Sequence, residues 1–120
     1  MITSAGLVRM AVGFASTWTY IGIGTGITTT NIGDSDLEST VSPRQPIGIA
    51  VASLFTLFTK TVFQKADNNS ASNITEMVVA DASSAGEILF HTVASTATWT
   101  AFLKGSATAA IVSINIAVSA

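Results

Sequence analysis

The chain has no cysteine, so disulfides and thiolate metal sites are excluded and cysteine usage says nothing about the redox compartment. It has a single histidine, His91, and one histidine without cysteine does not make an ordinary zinc site. Charge is scarce: 10% of residues are charged, against about 25% in an ordinary soluble domain. The five basic residues (Arg9, Arg44, Lys60, Lys65 and Lys104) are scattered, and the net charge is −2. Neutralising phosphates takes clustered Lys and Arg, so nucleic acid is excluded as a partner. The most apolar run, residues 46–58, is shorter than the roughly 20 residues a membrane helix needs, and Thr59 and Lys60 follow it at once. It reads as a buried strand pair, with no membrane partner. The first apolar stretch carries Arg9 in its middle and lacks a basic start, which is unlike a signal peptide.

What is present is apolar and hydroxylic. Hydrophobic residues make up 48% of the 120 residues, and Ser and Thr outnumber the charged residues more than twofold. The length suits one domain with one core. Charged side chains keep monomers apart, and the cores of interfaces are depleted of them. A surface this poor in charge is expected to be covered in part by other subunits.

Along the chain, Thr3 or Ser4 can cap a short helix running to Val12. Leu7, Val8, Met10 and Ala11 lie at helical spacing, and Gly13 is placed to end it. Residues 18–24 alternate as a strand with Thr19, Ile21 and Ile23 on one face. Residues 27–45 read as a long surface loop holding Asp34, Asp36 and Glu38, with Pro43 and Pro46 flanking Arg44. Strands are predicted at 47–51 and 54–63, a polar loop at 64–73, and a hairpin at 74–94 with its turn at 81–86. A less regular stretch, 95–103, precedes a last strand at 108–118, where Val112, Ile114, Ile116 and Val118 alternate with Ser113, Asn115 and Ala117. No helix separates the later strands, so parallel crossovers are ruled out. The expected fold is mainly β: an antiparallel β-sandwich of six or seven strands with a short N-terminal helix.

Candidate chemistry is thin. Gly22, Gly24 and Gly26 form G-x-G-x-G, whereas a dinucleotide loop needs G-x-G-x-x-G opening a helix. The plain reading is a strand end where backbone or side chains approach closely. Asp34, Asp36 and Glu38 resemble part of a calcium loop, but Ser39 stands at its sixth position and Gln45 at its twelfth. These acids are expected to be solvated, or to meet Arg44 or a basic residue of a neighbouring chain. A Ser-His-Asp set can be drawn from Ser95, His91 and Asp81, yet His91 sits mid-strand with no nucleophile elbow. Two sequons, at Asn68 and Asn73, are the chance matches a Ser/Thr-rich chain produces. Trp18, Tyr20, Trp99 and Phe102 read as core or contact aromatics, with a sugar-stacking surface as the alternative.

The order of features carries a resemblance. A short helix with Gly6 and Leu7 leads to YIGIGTG (20–26), a Thr-rich loop, DSDLESTV (34–41) and Arg44. ITEMVVADASSAGEILFHT (74–92) and FLKGSATAAIVSINI (102–116) follow. This is similar to small virion proteins of tailed phages, found among head-decoration, baseplate and tail-fibre-like components. Val78 stands where that group commonly has Gly, and Ala80 where it has an aromatic. The resemblance implies a non-enzymatic structural subunit without cofactor or metal, assembled in the host cytoplasm and residing in the virion. The expected role is a capsid decoration or cement protein, a homotrimer seated on the major capsid protein. A tail, baseplate or fibre-adaptor subunit is the alternative, and a carbohydrate-binding attachment module the second. Candidate subunit contacts are Leu7, Val8 and Met10 of the helix, Asp34, Asp36, Glu38 and Arg44 of the loop, and Asn115 of the last strand.

Overall fold

The computed structural model describes residues 1, 3–53, 56–95 and 98–117. Its elements run α1 (Ser4–Thr17), β1 (Tyr20–Gly24), β2 (Thr40–Pro46), β3 (Ile49–Ser53), β4 (Thr56–Phe63), β5 (Glu76–Ala80), β6 (Ile88–Val93) and β7 (Ala110–Ala117). They form a four-stranded sheet, β2-β1-β5-β6, and a three-stranded sheet, β3-β4-β7. Every strand pairing is antiparallel. The fold is the expected antiparallel sandwich with an N-terminal helix.

The period-2 pattern places the core. Ile21 and Ile23 of β1 and Met77 and Val79 of β5 point inward from one sheet. Phe63 of β4 and Val112 of β7 meet them from the other, with Ile74 beside them. Fully burying side chains of this size stabilises a fold by about 1.5–3 kcal/mol each. Trp18, Trp99 and Phe102 pack against this core, so these aromatics take the expected core role.

Thr3 caps α1 as expected, its Oγ1 accepting from the Gly6 N–H at 3.1 Å. The helix does not stop at Gly13; it continues to Thr17 and closes with the Trp18 N–H donating to the Phe14 carbonyl. A glycine inside a helix costs about 1 kcal/mol. Here a buried stripe of Leu7 and Ala11, joined by Phe14 and Ala15, runs through Gly13 and outweighs that cost.

Residues 40–45 are expected within the surface loop, but together with Pro46 they are a strand. They form β2, paired to β1. β2 is an edge strand, where proline is tolerated because one row of N–H groups needs no partner in the ladder. The register slips between Ile21 and Ile23, so Ser42, Pro43 and Arg44 bulge opposite Gly22 while Pro46 stays paired with Tyr20. Asn68, buried and at φ 54°, donates through Nδ2 to the Val41 and Pro43 carbonyls and accepts from Gln45 Nε2.

The remaining boundaries move by one or two residues. The strand expected at 47–51 is Ile49–Ser53, and that expected at 54–63 is described over Thr56–Phe63. The strand expected at 108–118 is Ala110–Ala117. Leu54 and Val118 lie outside the described residues. The hairpin arms are Glu76–Ala80 and Ile88–Val93, with Ile74 bridged to Phe102. Lys104, fully buried, donates to the oxygens of Asn69, Lys65 and Gly105 and ties down the 64–73 loop.

Candidate functional site

The outer face of the four-stranded sheet carries the densest polar network of the fold. Strand alternation sends Gly22 and Gly24 of β1, Glu76 and Val78 of β5 and His91 of β6 to this side. The two glycines leave a bare strip, and residues 25–39 fold down over it. Leu37 seats against Gly22, where an added Cβ would meet Val78 Cγ2 at 3.0 Å and Leu37 Cδ1 at 3.1 Å.

Glu76 holds that loop. Its side chain is fully buried, and Oε2 accepts from the Gly26 N–H at 2.7 Å and the Ser39 N–H at 2.8 Å. Oε1 accepts from the Glu38 N–H at 2.8 Å and faces His91 Nε2 at 2.8 Å. The carboxylate therefore meets both ends of the loop at once. Next to it, Thr75 donates through Oγ1 to the Gly26 carbonyl.

His91 extends the line outward. Its Nδ1 faces Asp34 Oδ2 at 2.8 Å, and the same oxygen accepts from the Asn31 N–H. A ring with a carboxylate at each nitrogen is satisfied at both ends only as the imidazolium. Burial lowers the His91 pKa, but the hydrogen bonds from Asp34 and Glu76 raise it, and the net shift is upward. Asp34 is held below the ordinary carboxylate range by the Asn31 N–H and by His91. Glu38 is held low by the Thr28 hydroxyl and the Ile27 N–H.

Arg44 is the second anchor. It is 8% exposed, and Nη1 donates to the carbonyls of Ala82 and Ala85 at 2.8 Å while Nη2 meets Asp36 Oδ1 at 3.2 Å. The expected Asp36–Arg44 meeting occurs, within the chain.

Both nitrogens of His91 are occupied by carboxylates, which leaves none to activate a nucleophile. The Ser95-His91-Asp81 set is not assembled: the Ser95 hydroxyl meets Thr98 Oγ1, and the Asp81 carboxylate accepts from the Glu87 N–H. Among the described residues no group of three or more His, Cys, Asp or Glu side chains is placed to hold a metal ion. Gly22, Gly24 and Gly26 accommodate Leu37, Ser39, Glu38 and Glu76, the close approach expected of them. The network is a structural clamp on the loop.

The candidate contact residues divide. Leu7 and Arg44 are buried within the chain, Val8 and Asp34 are half-buried, and Met10, Asp36, Glu38 and Asn115 are exposed. The clamp itself was missed by the sequence reading. Its one signal is an acid opening the otherwise apolar EMVVA strand, two positions before Val78, which pairs with His91.

A cleft of about 550 Å³ opens between β6 and β7, lined among others by Phe90, Trp99, Phe102, Val112 and Ile114. Among the described residues no charged side chain lines it. Trp99 and Phe102 stack at a tilt with centroids 6.4 Å apart, and Trp99 Nε1 donates to Thr92 Oγ1.

Compared with known proteins, the chain matches no family model and no curated sequence.

Proposed function

We propose that the chain is a non-enzymatic structural subunit of a tailed-phage virion, and within it a decoration subunit seated on the head lattice. The observation that carries this reading is the apolar side chain left on a surface with little charge. Val62 and Ile111 lie opposite each other on the outer face of β4 and β7, at 36% and 60% exposure, and Phe58 stands on the same face beyond Lys60, at 39%. Met10 and Val12 on α1 and Ile27 and Ile32 on the long loop are exposed as well. Single exposed apolar residues are ordinary, but a shared apolar face marks a contact surface. Many identical copies turn a modest contact into firm attachment by multivalency. The Glu76–His91–Asp34 clamp fits the same role, because it stiffens the loop through which a lattice subunit would meet its neighbours.

Copy number tests the assignment. Quantitative mass spectrometry of purified virions is expected to find the chain at a number comparable to the capsid protein, and cryo-electron microscopy to place it on the head. A handful of copies at the tail would replace decoration with the tail-subunit role, and absence from virions would overturn the virion reading altogether.

A further inference from the structure

Each sheet of the sandwich has two edges, and an exposed edge is a template for pairing with another chain unless it is blunted. Three of the four edges here are blunted. β2 contains Pro43 and Pro46, bulges, and has Asn68 bound to two of its carbonyls. β6 is short, carries an extra residue at Leu89 where its register slips against β5, and is flanked by Asn31, Ile32 and Asp34 of the long loop. β3 is only five residues long, and α1 lies against both it and β4.

Among the described residues β7 has none of these devices. It is eight residues long, AIVSINIA, with no charge and no proline, and it pairs with β4 in unbroken register from Ala110 to Ala117. Its free side borders the cleft, which β7 lines continuously from Ile111 to Asn115 and which has no charged lining residue among the described residues, and Ile111 is 60% exposed. An edge of backbone donors and acceptors beside an apolar cleft fits an extended backbone better than a helix or a small ligand.

We propose that β7 pairs antiparallel with β7 of a second copy about a two-fold axis, joining the two three-stranded sheets into one of six strands. A two-fold axis perpendicular to the sheet keeps the outward residues outward. Centring the axis on Ser113 then sets Ile111 beside Asn115 of the second copy. The inward face extends over the mouth of the cleft, so that the two copies' clefts, each lined by Phe90, Trp99 and Phe102, close against each other. A second copy suits the site electrically because β7 brings no charge to itself. The nearest like charges, the two Lys60 side chains on β4, would lie three strand spacings apart, about 14 Å, beyond the screening length of about 8 Å at physiological salt. The contact is isologous and closes at two subunits, where the virion resemblance implies a three-fold cluster. It is a property of the isolated chain and stands whether or not the chain is found in virions.

Sedimentation velocity of the full chain tests it, with charge placed on exposed positions. The wild type is expected to sediment as a dimer. The double variants I111K/N115K and I111E/N115E, each with a cooperative thermal transition, are expected to sediment as monomers. An equimolar mixture of the two is expected to restore the dimer, because Lys then faces Glu across the axis. That rescue separates pairing from a loss of folding. A monomeric wild type, a trimer, or a dimer that persists in either double variant would overturn the proposal.

Discussion

His91 Nε2 lies 2.8 Å from Glu76 Oε1, and the same carboxylate receives the backbone N–H groups of Gly26, Glu38 and Ser39. One side chain on β5 thus closes both ends of the loop that covers the sheet. Replacing it strands several donors together: a buried N–H left without an acceptor costs about 1–3 kcal/mol. Glu76→Ala is expected to lower stability by about 2–4 kcal/mol, the exposed end of the loop recovering part of the loss from water. Urea denaturation measures the loss, and hydrogen exchange should show residues 25–39 opening before the strands do.

The clamp also gives stability a pH dependence of known sign. The His91 pKa is raised on folding, so its contribution is fully present below its ordinary value of 6.5 and is lost as pH rises through the folded value above it. Asp34 and Glu38 are lowered from 3.8 and 4.5, so their contributions are present above those values and are lost as pH falls through the folded ones. The tie is tightest between 4.5 and 6.5. His91→Gln is expected to flatten the decline in Tm from 6.5 upward and to weaken the acid-side loss that runs through Asp34, whose carboxyl His91 helps to hold low. A decline as steep in the variant as in the wild type would assign the slope to other groups.

How much of this was legible in the sequence follows from the range of each signal. Alternation in 108–118 and the hairpin pattern of 74–94 are local, and both strands and their inward faces were readable. The helix overran Gly13 because the stripe from Leu7 to Ala15 outweighs one glycine. β2 escaped notice because proline argues against a strand unless the strand lies at an edge, and edge position is a property of the whole sheet. The clamp joins residues 34, 76 and 91, with the Glu76–Glu38 bond spanning 38 positions. Nothing in the spacing of two acids and one histidine brings them together; the pairing of β5 with β6 sets Glu76 and His91 side by side.

The glycines of β1 separate close packing from helix entropy. A Cβ on Gly24 would collide with the Ser39 carbonyl oxygen and the Glu76 carboxylate, whereas one on Gly13 would meet nothing within 4 Å. Gly24→Ala is expected to destabilise by about 1–3 kcal/mol, as overpacking does. Gly13→Ala, inside α1, is expected to stabilise by about 0.5–1 kcal/mol. Thermal melts of the two variants should move in opposite directions; a shared direction would contradict the close approach at Gly24.

Thr61 gives a prediction in which removing a polar group helps. It is fully buried on the inward face of β4, beside Phe63, and among the described residues its hydroxyl has no hydrogen-bond partner. Thr59, one step along the same face, donates to the Ile114 carbonyl instead, so the environment does not forbid a hydroxyl that finds an acceptor. An unsatisfied buried hydroxyl costs about 1–3 kcal/mol. Thr61→Val keeps the β-branched shape and strand propensity while removing that cost. It is expected to raise stability by about 1 kcal/mol, and Thr59→Val to lower it by a similar amount through the lost bond. Chemical denaturation of the pair provides the check: a destabilised Thr61→Val would mean that the hydroxyl has an acceptor in solution.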